Sequence, residues 1–372
     1  MIPPSAEVVV IGGGVIGTSV AYHLARRGCT NVLLIERSRL GGGSTGSASG
    51  AIRQQFEREI EVALAERSVR CWIDFEESTG AHLDFRQVGY LFLLSTSSEI
   101  ERYRANVAMQ RRMGVPTRLL NVEEALSVAP GIDGDGLLGA SYCPTDGRAI
   151  PAAAVEGFAR RARDLGVRIE EQVAVTGFRT AGERISALET SAGVIHTRVV
   201  VNAAGPQAAD VASMVGVSLP VRAQRVHQVV TDAVQLPDSF PCVLELSKTL
   251  FLAKEGSGVL LGLGSGEPKS TDLTVDWNYL PEVIEAAMQR MPLLRGAAVR
   301  AAWVGLGEYT PDRLPVLGPV SQIEGFYCAN GMSGHGFMLA PAIGEAIADL
   351  LVEGKCSWLD IGELSIERFQ TA

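Results

Sequence analysis

No uninterrupted apolar stretch in this chain approaches the roughly eighteen residues that a membrane-spanning helix requires. The opening residues Met1-Ile2-Pro3-Pro4-Ser5 carry no basic charge, and glycines break the apolar run that follows them, so that run reads as a strand and not as a signal peptide. Both absences lead to the expectation of a cytoplasmic protein with no membrane span. There is no C-x-x-C pair. Cys29, Cys71, Cys143, Cys242, Cys328 and Cys356 stand far apart, which gives neither a zinc site nor an iron–sulfur cluster and suits isolated thiols in a reducing compartment. His23, His82, His196, His227 and His335 likewise lack metal-ligand spacing, so no metal is expected. Positive charge is not in excess either. With 33 Lys+Arg against 42 Asp+Glu the formal net charge is -9, which argues against nucleic acid, because phosphate binding needs a clustered basic surface. The pairs Arg111-Arg112 and Arg160-Arg161 fall on helical segments beside acids and read as solvated faces. No low-complexity tract occurs, and 47% hydrophobic with 20% charged residues is the composition of a folded globular chain.

What the chain does have begins at residue 8. Val8-Val9-Val10-Ile11 is a β-branched run suited to a buried strand, and Gly12, Gly14 and Gly17 after it fit G-x-G-x-x-G. In that motif the first glycine makes the tight turn, the second admits a pyrophosphate, and the third lets helix and strand pack closely. The phosphates then meet the positive end of a helix. A second apolar run, Val32 to Ile35, leads to Glu36, nineteen residues past Gly17, where the motif places the acid that binds a ribose hydroxyl. A carboxylate there repels a 2′-phosphate. The segment therefore implies a dinucleotide other than NADP.

At 372 residues the chain exceeds one typical domain, and we expect two intimately joined ones. Residues 41 to 50 consist only of glycine, serine, threonine and alanine. The tract reads either as a linker or as a ligand-approaching loop, and its position at the carboxyl edge of a nucleotide-binding unit favours the second. Arg53 follows, fixed between this loop and an amphipathic helix bearing Ile60, Leu64, Cys71, Trp72 and Phe75 and ending at Gly80. It is either a surface charge or a bidentate clamp for a carboxylate, and the residues alone leave both open. Residues 81 to about 143 form an excursion with a short strand at Tyr90 to Leu94 and two helices, one capped by Ser98 with Glu101 and one by Asn121 with Glu124. Pro151 opens a helix closed by Gly166. Strands at Val167 to Glu170, Val173 to Thr176, Ile185 to Leu188 and Val194 to His196 lead to Val199-Val200-Val201-Asn202-Ala203-Ala204-Gly205, a buried strand ending in tiny residues. Strands at Val226 to Val230, Leu250 to Ala253 and Val259 to Gly262, with a helix from Pro281 to Arg290, suggest a second sheet-based domain. After a strand at Phe326 to Ala329, Gly331, Gly334 and Gly336 precede a helix reaching Val352, a second anion-receptive amino terminus.

The order of these segments, Gly12 to Gly17, Glu36, Ser44 to Gly50, Ala203-Ala204-Gly205 and Gly334-His335-Gly336-Phe337, resembles the FAD-dependent D-amino-acid oxidase and sarcosine oxidase superfamily from residue 8 to about 352. The likeness is nearest the β-subunit type of sarcosine oxidase and the proline, hydroxyproline and opine enzymes. The resemblance implies an α/β chain, α+β overall. A Rossmann-like FAD-binding domain (residues 1–80, 144–206 and 305–372) would interleave with a substrate domain on a largely antiparallel sheet (81–143 and 207–304). It implies FAD over Gly12, Gly14, Val15, Ile16, Gly17, Glu36 and Arg37, with Val173 beside the adenine. It also implies Ser44, Thr45, Ser49, Gly50, Ala204, Gly205 and Gly305 around the flavin, and Gly334, His335, Gly336, Phe337 and Met338 at its pyrimidine edge. The substrate, an amino acid or secondary amine of the sarcosine, proline, D-amino-acid or opine type, would lie between ring and sheet. Hydride would pass from its C–N carbon to flavin N5, giving an imine that water hydrolyses.

Such chemistry needs positioning more than acid–base groups, which accords with the lack of a His–Asp or paired-carboxylate constellation. Phe251 and His227, on strands of the second domain, are candidates at the substrate; for His227 a satisfied core or rim histidine is the competing reading. The chain departs from the family at several points. Gly305 replaces the cysteine of covalent flavin, so FAD is expected to be non-covalent, and Ile150-Pro151-Ala152 excludes a second, histidine-linked flavin. Leu260 replaces a lysine that assists oxygen, and Met338 replaces another lysine. Gly307 replaces a carboxylate-binding arginine, which leaves Arg53 as the carboxylate partner. The loss at Leu260 turns the expectation toward a dehydrogenase passing electrons to a partner subunit or other acceptor. The alternatives are a flavin-binding relay or assembly subunit of a complex and, more remotely, an NAD-dependent dehydrogenase.

Overall fold

In the computed structural model, residues 2–263 and 271–369 are described; Met1, 264–270 and 370–372 of the expected domain ranges lie outside them. The strand Val8–Ile11 is buried on both faces, because its four residues are all apolar and flanked by partners on either side. It pairs in parallel with Val32–Glu36 on one side and Val199–Asn202 on the other. Arg168–Glu171 and Phe326–Asn330 extend the parallel set, and Val316–Pro319 closes one edge antiparallel. Among the described residues this makes a six-stranded sheet. Its alternating side chains divide two cores. Val8, Val10 and Leu34 point toward the helices Val15–Arg26, Pro151–Asp164 and Gly336–Glu353, which pack against one another. Val9, Ile11, Leu33 and Ile35 point to the other side, where the meander Val175–Thr180, Ile185–Thr190 and Gly193–His196 covers them.

The second large sheet has eight strands, in the order Val299–Tyr309, Arg222–Thr231, Gly258–Leu263, Leu250–Glu255, Cys242–Glu245, Tyr90–Leu94, Gly139–Cys143 and Arg118–Leu120. All neighbours are antiparallel except Cys242–Glu245 with Tyr90–Leu94. Its outer face buries Val229, Leu261, Leu252, Val243 and Leu91 beneath the helix Leu280–Arg290. The opposite face carries Tyr90, Phe92, Ala253 and Phe251 toward Ala51 of the first domain.

Three expectations are corrected. The box expected at Ser98 and Glu101 is formed by Thr96 and Glu99, whose reciprocal bonds measure 3.2 and 3.1 Å. Ser95-Thr96-Ser97-Ser98 offers four hydroxyls able to cap, and the burial of Tyr103, Val107 and Gln110 decides which one does. The helix expected to run to Gly80 is interrupted: Glu59–Ile73 ends at Asp74 and a short turn Phe75–Thr79 follows, so that Trp72 and Phe75 are both buried. The boundary expected at residue 305 falls inside a strand, because Val299–Tyr309 stays paired with the eight-stranded sheet as far as Tyr309 opposite Arg222. The six-stranded sheet resumes at Val316.

Candidate active site

Where the first strand meets its helix, Gly12 has φ +111°, and a Cβ there would lie 2.3 Å from the Ala203 carbonyl oxygen. A Cβ on Gly17 would lie 1.9 Å from the Gly12 carbonyl oxygen, so only glycine lets the helix start this close to the strand. Gly14 differs: its open side meets only Thr45 Oγ1, at 3.3 Å, and faces a cleft of about 620 Å³. Glu36 closes the turn. Its Oε2 accepts from the Gly13 amide at 2.7 Å, and its Oε1 accepts from the Ser38 amide and hydroxyl at 2.8 and 3.0 Å.

The cleft runs from Glu36, Arg37 and Val173 past Gly12, Gly14, Val15 and Ile16 to the loop holding Ser44, Thr45, Ser49 and Gly50. Ala204 and Gly205 form one wall, and Gly305, Gly334, Gly336, Phe337 and Met338 the far end. The tiny-residue tract is therefore an ordered wall containing a 3₁₀ turn, Ser44–Ser47. Thr45 Oγ1 accepts from the Val15 amide at 3.1 Å at the helix amino terminus. The Ser47 carbonyl takes two bonds from the eight-stranded sheet, from Gln228 Nε2 at 2.8 Å and Trp303 Nε1 at 3.2 Å. A Cβ on Gly305 would lie 2.8 Å from Ser47 Cβ, so the strand Val299–Tyr309 approaches the loop too closely for a side chain.

The residues present fit an extended dinucleotide. Gly12 and Gly14 keep side chains out of the cleft at a helix amino terminus, and the wall carries buried acceptors with no partner among the described residues: Ser44 Oγ and Glu308 Oε2. Burial pushes the Glu308 carboxyl up to about 7, against the opposing amide bonds of Gly331 and Met332.

Arg53 and His335 lie beside this cleft and are brought together. Arg53 Nη2 donates to His335 Nε2 at 2.9 Å, and because guanidinium only donates, Nε2 carries no proton. Burial, then the charges of Arg53 and Arg313, hold His335 well below the usual imidazole range. Arg53 also donates to the Gln55 carbonyl and stacks on Phe56 at 4.1 Å and Phe92 at 5.3 Å. Beneath it, Asp146 is fully buried. Its Oδ1 accepts from the Gln54 amide and Nε2 at 2.9 and 3.0 Å, and its Oδ2 from Gln55 Nε2 at 3.1 Å. Ser141 Oγ donates to Gln55 Oε1 at 2.7 Å, so both glutamines are fixed and Arg53 with them. Burial pushes Asp146 up to about 6 and raises the phenols of Tyr90 and Tyr103, for which the Arg53 charge is a smaller, opposing influence.

Of the other candidates, Phe251 lies on the cleft-facing side of the sheet, next to Tyr90 at 6.2 Å. His227 is not at the cleft. It is one residue from Gln228 and so points to the outer face, where its Nε2 accepts from the Asp276 amide at 2.9 Å and its ring meets Tyr279 at 5.1 Å. The core reading of His227 is the one realised. Gly17 does not line the cleft; its part is the close approach of the helix. Gln54, Gln55, Asp146, Gln228, Trp303 and Glu308 were not anticipated as site residues. The pair Gln54-Gln55 beside Arg53 was the one local signal, since the rest meet only through register. Among the described residues no group of three or more His, Cys, Asp or Glu side chains could hold a metal, and no helix is long and apolar enough to cross a membrane.

Comparison with known proteins agrees with this geometry. The chain is 31% identical to the mitochondrial sarcosine dehydrogenase of Mus musculus over 384 residues, covering 99% of this chain but 42% of that protein. It therefore spans less than half the length of that relative. It is 28% identical to sarcosine oxidase subunit beta of an Arthrobacter species, covering 99% of this chain and 92% of that one. The crystal structure of L-proline dehydrogenase from P. horikoshii superposes with a TM-score of 0.94 at 34% identity, covering 100% of this chain and 99% of that one. The family model for FAD dependent oxidoreductases matches residues 7–350. With its glycine turn, its Glu36 carboxylate and its cleft between two sheets, the chain belongs to the DAO family of FAD dependent oxidoreductases.

Proposed function

We propose that the chain binds FAD non-covalently and oxidises the C–N bond of a small amino acid or secondary amine whose carboxylate is held by Arg53. The observation that carries this reading is Arg53 itself: a guanidinium fixed by Gln55 and His335, stacked on Phe56, beside the face of the sheet that bears Phe92 and Phe251. Names of related proteins support the substrate class, since sarcosine and proline are both secondary amino acids.

Gly12, Gly14 and Glu36 would hold the adenosine and pyrophosphate portion, with Val173 beside the adenine. Ser44 to Gly50, Ala204, Gly205, Gly305 and the amides of 334–338 would enclose the ring. Bound there, FAD supplies the two-electron acceptor for hydride. Arg53 fixes the carboxylate and thereby the reacting carbon, and Phe92 and Phe251 exclude water from it. His335, held neutral, adds no second positive charge beside the carboxylate site. The contact of Gly305 with Ser47 supports non-covalent binding, because no nucleophilic side chain fits at that place.

Leu260 lies on a cleft-facing row of the sheet and is buried, so position 260 itself supplies no cation to assist oxygen, which favours a dehydrogenase handing electrons to a partner subunit or another acceptor. Purified protein with bound FAD should be yellow, and anaerobic addition of amino acids and N-alkyl amino acids should bleach it. If a broad panel leaves the flavin oxidised, the enzymatic reading is lost; reduction that requires a second subunit would favour a relay role.

A further inference from the structure

Gln228 is held at one end and open at the other. Its Nε2 donates to the Ser47 carbonyl, and exchanging the amide atoms would set two oxygens against each other, so the orientation is fixed. The Oε1 is consequently the free end. It is buried, has no partner among the described residues, and belongs to a residue lining the cleft. The register Trp303–Gln228–Gly262–Phe251 places these residues side by side on one face of the sheet. Between Phe251 and Gln228 stands Gly262, where a Cβ would meet nothing closer than 3.8 Å. No side chain therefore stands between the aromatic ring and the lone acceptor in this row.

We propose that Gln228 determines amine specificity: its Oε1 accepts the N–H of the substrate amine, so the site favours primary and secondary amines over tertiary ones. This rests on the FAD-dependent C–N oxidation set out above. In that reaction the C–H bond breaks and its electron pair leaves with the hydrogen to the flavin. The nitrogen lone pair becomes the second bond of C=N, and the nitrogen keeps its hydrogen while gaining positive charge. Water then adds to the carbon and releases the amine. An acceptor on the N–H leaves the lone pair free and meets the charge as it grows. A donor at the same place would engage the lone pair and oppose the step. The committed Nε2 and free Oε1 present the favourable polarity. A tertiary amine brings no N–H and leaves the oxygen buried and unpaired.

The test compares the best secondary amino acid found in the panel with its N-methyl derivative, by anaerobic flavin reduction and by ligand-induced changes in the flavin spectrum that report dissociation constants. Wild type should prefer the N–H-bearing amine, and Gln228→Met should shrink that preference by about 5- to 150-fold. Trp303→Phe, which removes the other bond to Ser47 and leaves Oε1 in place, should slow both amines alike and keep the ratio. Gln228→Leu removes the same acceptor with a shorter side chain and should shrink the ratio likewise, which decides the matter if the methionine variant does not fold with FAD. A ratio unchanged in whichever of the two variants folds with FAD overturns the proposal and leaves Gln228 a positioning residue for Ser47. If FAD is bound and no amine reduces it in wild type, the proposed function fails first and this inference with it.

Discussion

Replacing Arg53 by methionine keeps much of the stem that lies against Phe56 and Phe92 and removes the guanidinium. Of the five N–H donors on an arginine, two are spent on Gln55 and His335, which leaves three to receive a carboxylate. A planar bidentate contact uses two of them. Hydrogen bonds to charged groups contribute about 1.5–3 kcal/mol each, so a pair made in this aromatic surround is worth at least about 3 kcal/mol. That corresponds to a rise of about 150-fold in the dissociation constant of a carboxylate substrate. The carboxylate does not change in the reaction, so the contact acts on ground and transition states alike, and the limiting rate of flavin reduction should move much less than the affinity. Arg53→Lys keeps the charge but cannot serve Gln55, His335 and a carboxylate through one planar fork, and should fall between. Anaerobic stopped-flow titration separates the two constants. A dissociation constant within a factor of about three of wild type in Arg53→Met would show that the carboxylate is held elsewhere, since each lost bond alone predicts more.

Gly17→Ala drives a Cβ to 1.9 Å from the Gly12 carbonyl oxygen, so the glycine turn must shift; stability should fall by about 1–3 kcal/mol, with FAD lost on gel filtration, and an unchanged melting temperature with full flavin content would contradict this. Asp146 is raised from 3.8 to about 6 by burial, so between those values the folded chain binds the proton more tightly than the unfolded chain. Its contribution is therefore complete below about pH 4 and is lost as pH rises through about 6, a change of about 3 kcal/mol. Urea unfolding across this range should show that component in wild type and not in Asp146→Asn, and parallel curves for the two would remove Asp146 as its source. Acid precipitation of the holoprotein should leave all the flavin in the supernatant; yellow colour remaining in the pellet would mean a covalent link.

The glycine turn and the place of Glu36 in it were legible from the chain because each depends on neighbours in sequence. A β-branched run, glycines at fixed intervals and an acid after the next strand form one local unit, and its geometry follows from the backbone alone. The tiny-residue tract could be placed at the edge of the cleft for the same reason. Helix ends were less determinate where several hydroxyls stood in a row, as at Ser95 to Ser98, because local capping is nearly degenerate there and tertiary packing selects. The site's far side was decided by register. Whether His227 or Gln228 faces the cleft is a choice of one residue in a strand of period two, and both alternatives bury apolar neighbours, so nothing in the segment distinguishes them. The alignment of Trp303, Gln228, Gly262 and Phe251 comes from three strand pairings among residues as much as 75 positions apart between Gln228 and Trp303. Likewise Arg53 was visible as a charge in a favourable place. Its fixing by His335, 282 residues away, and by the Asp146 network exists only once the two sheets close on each other.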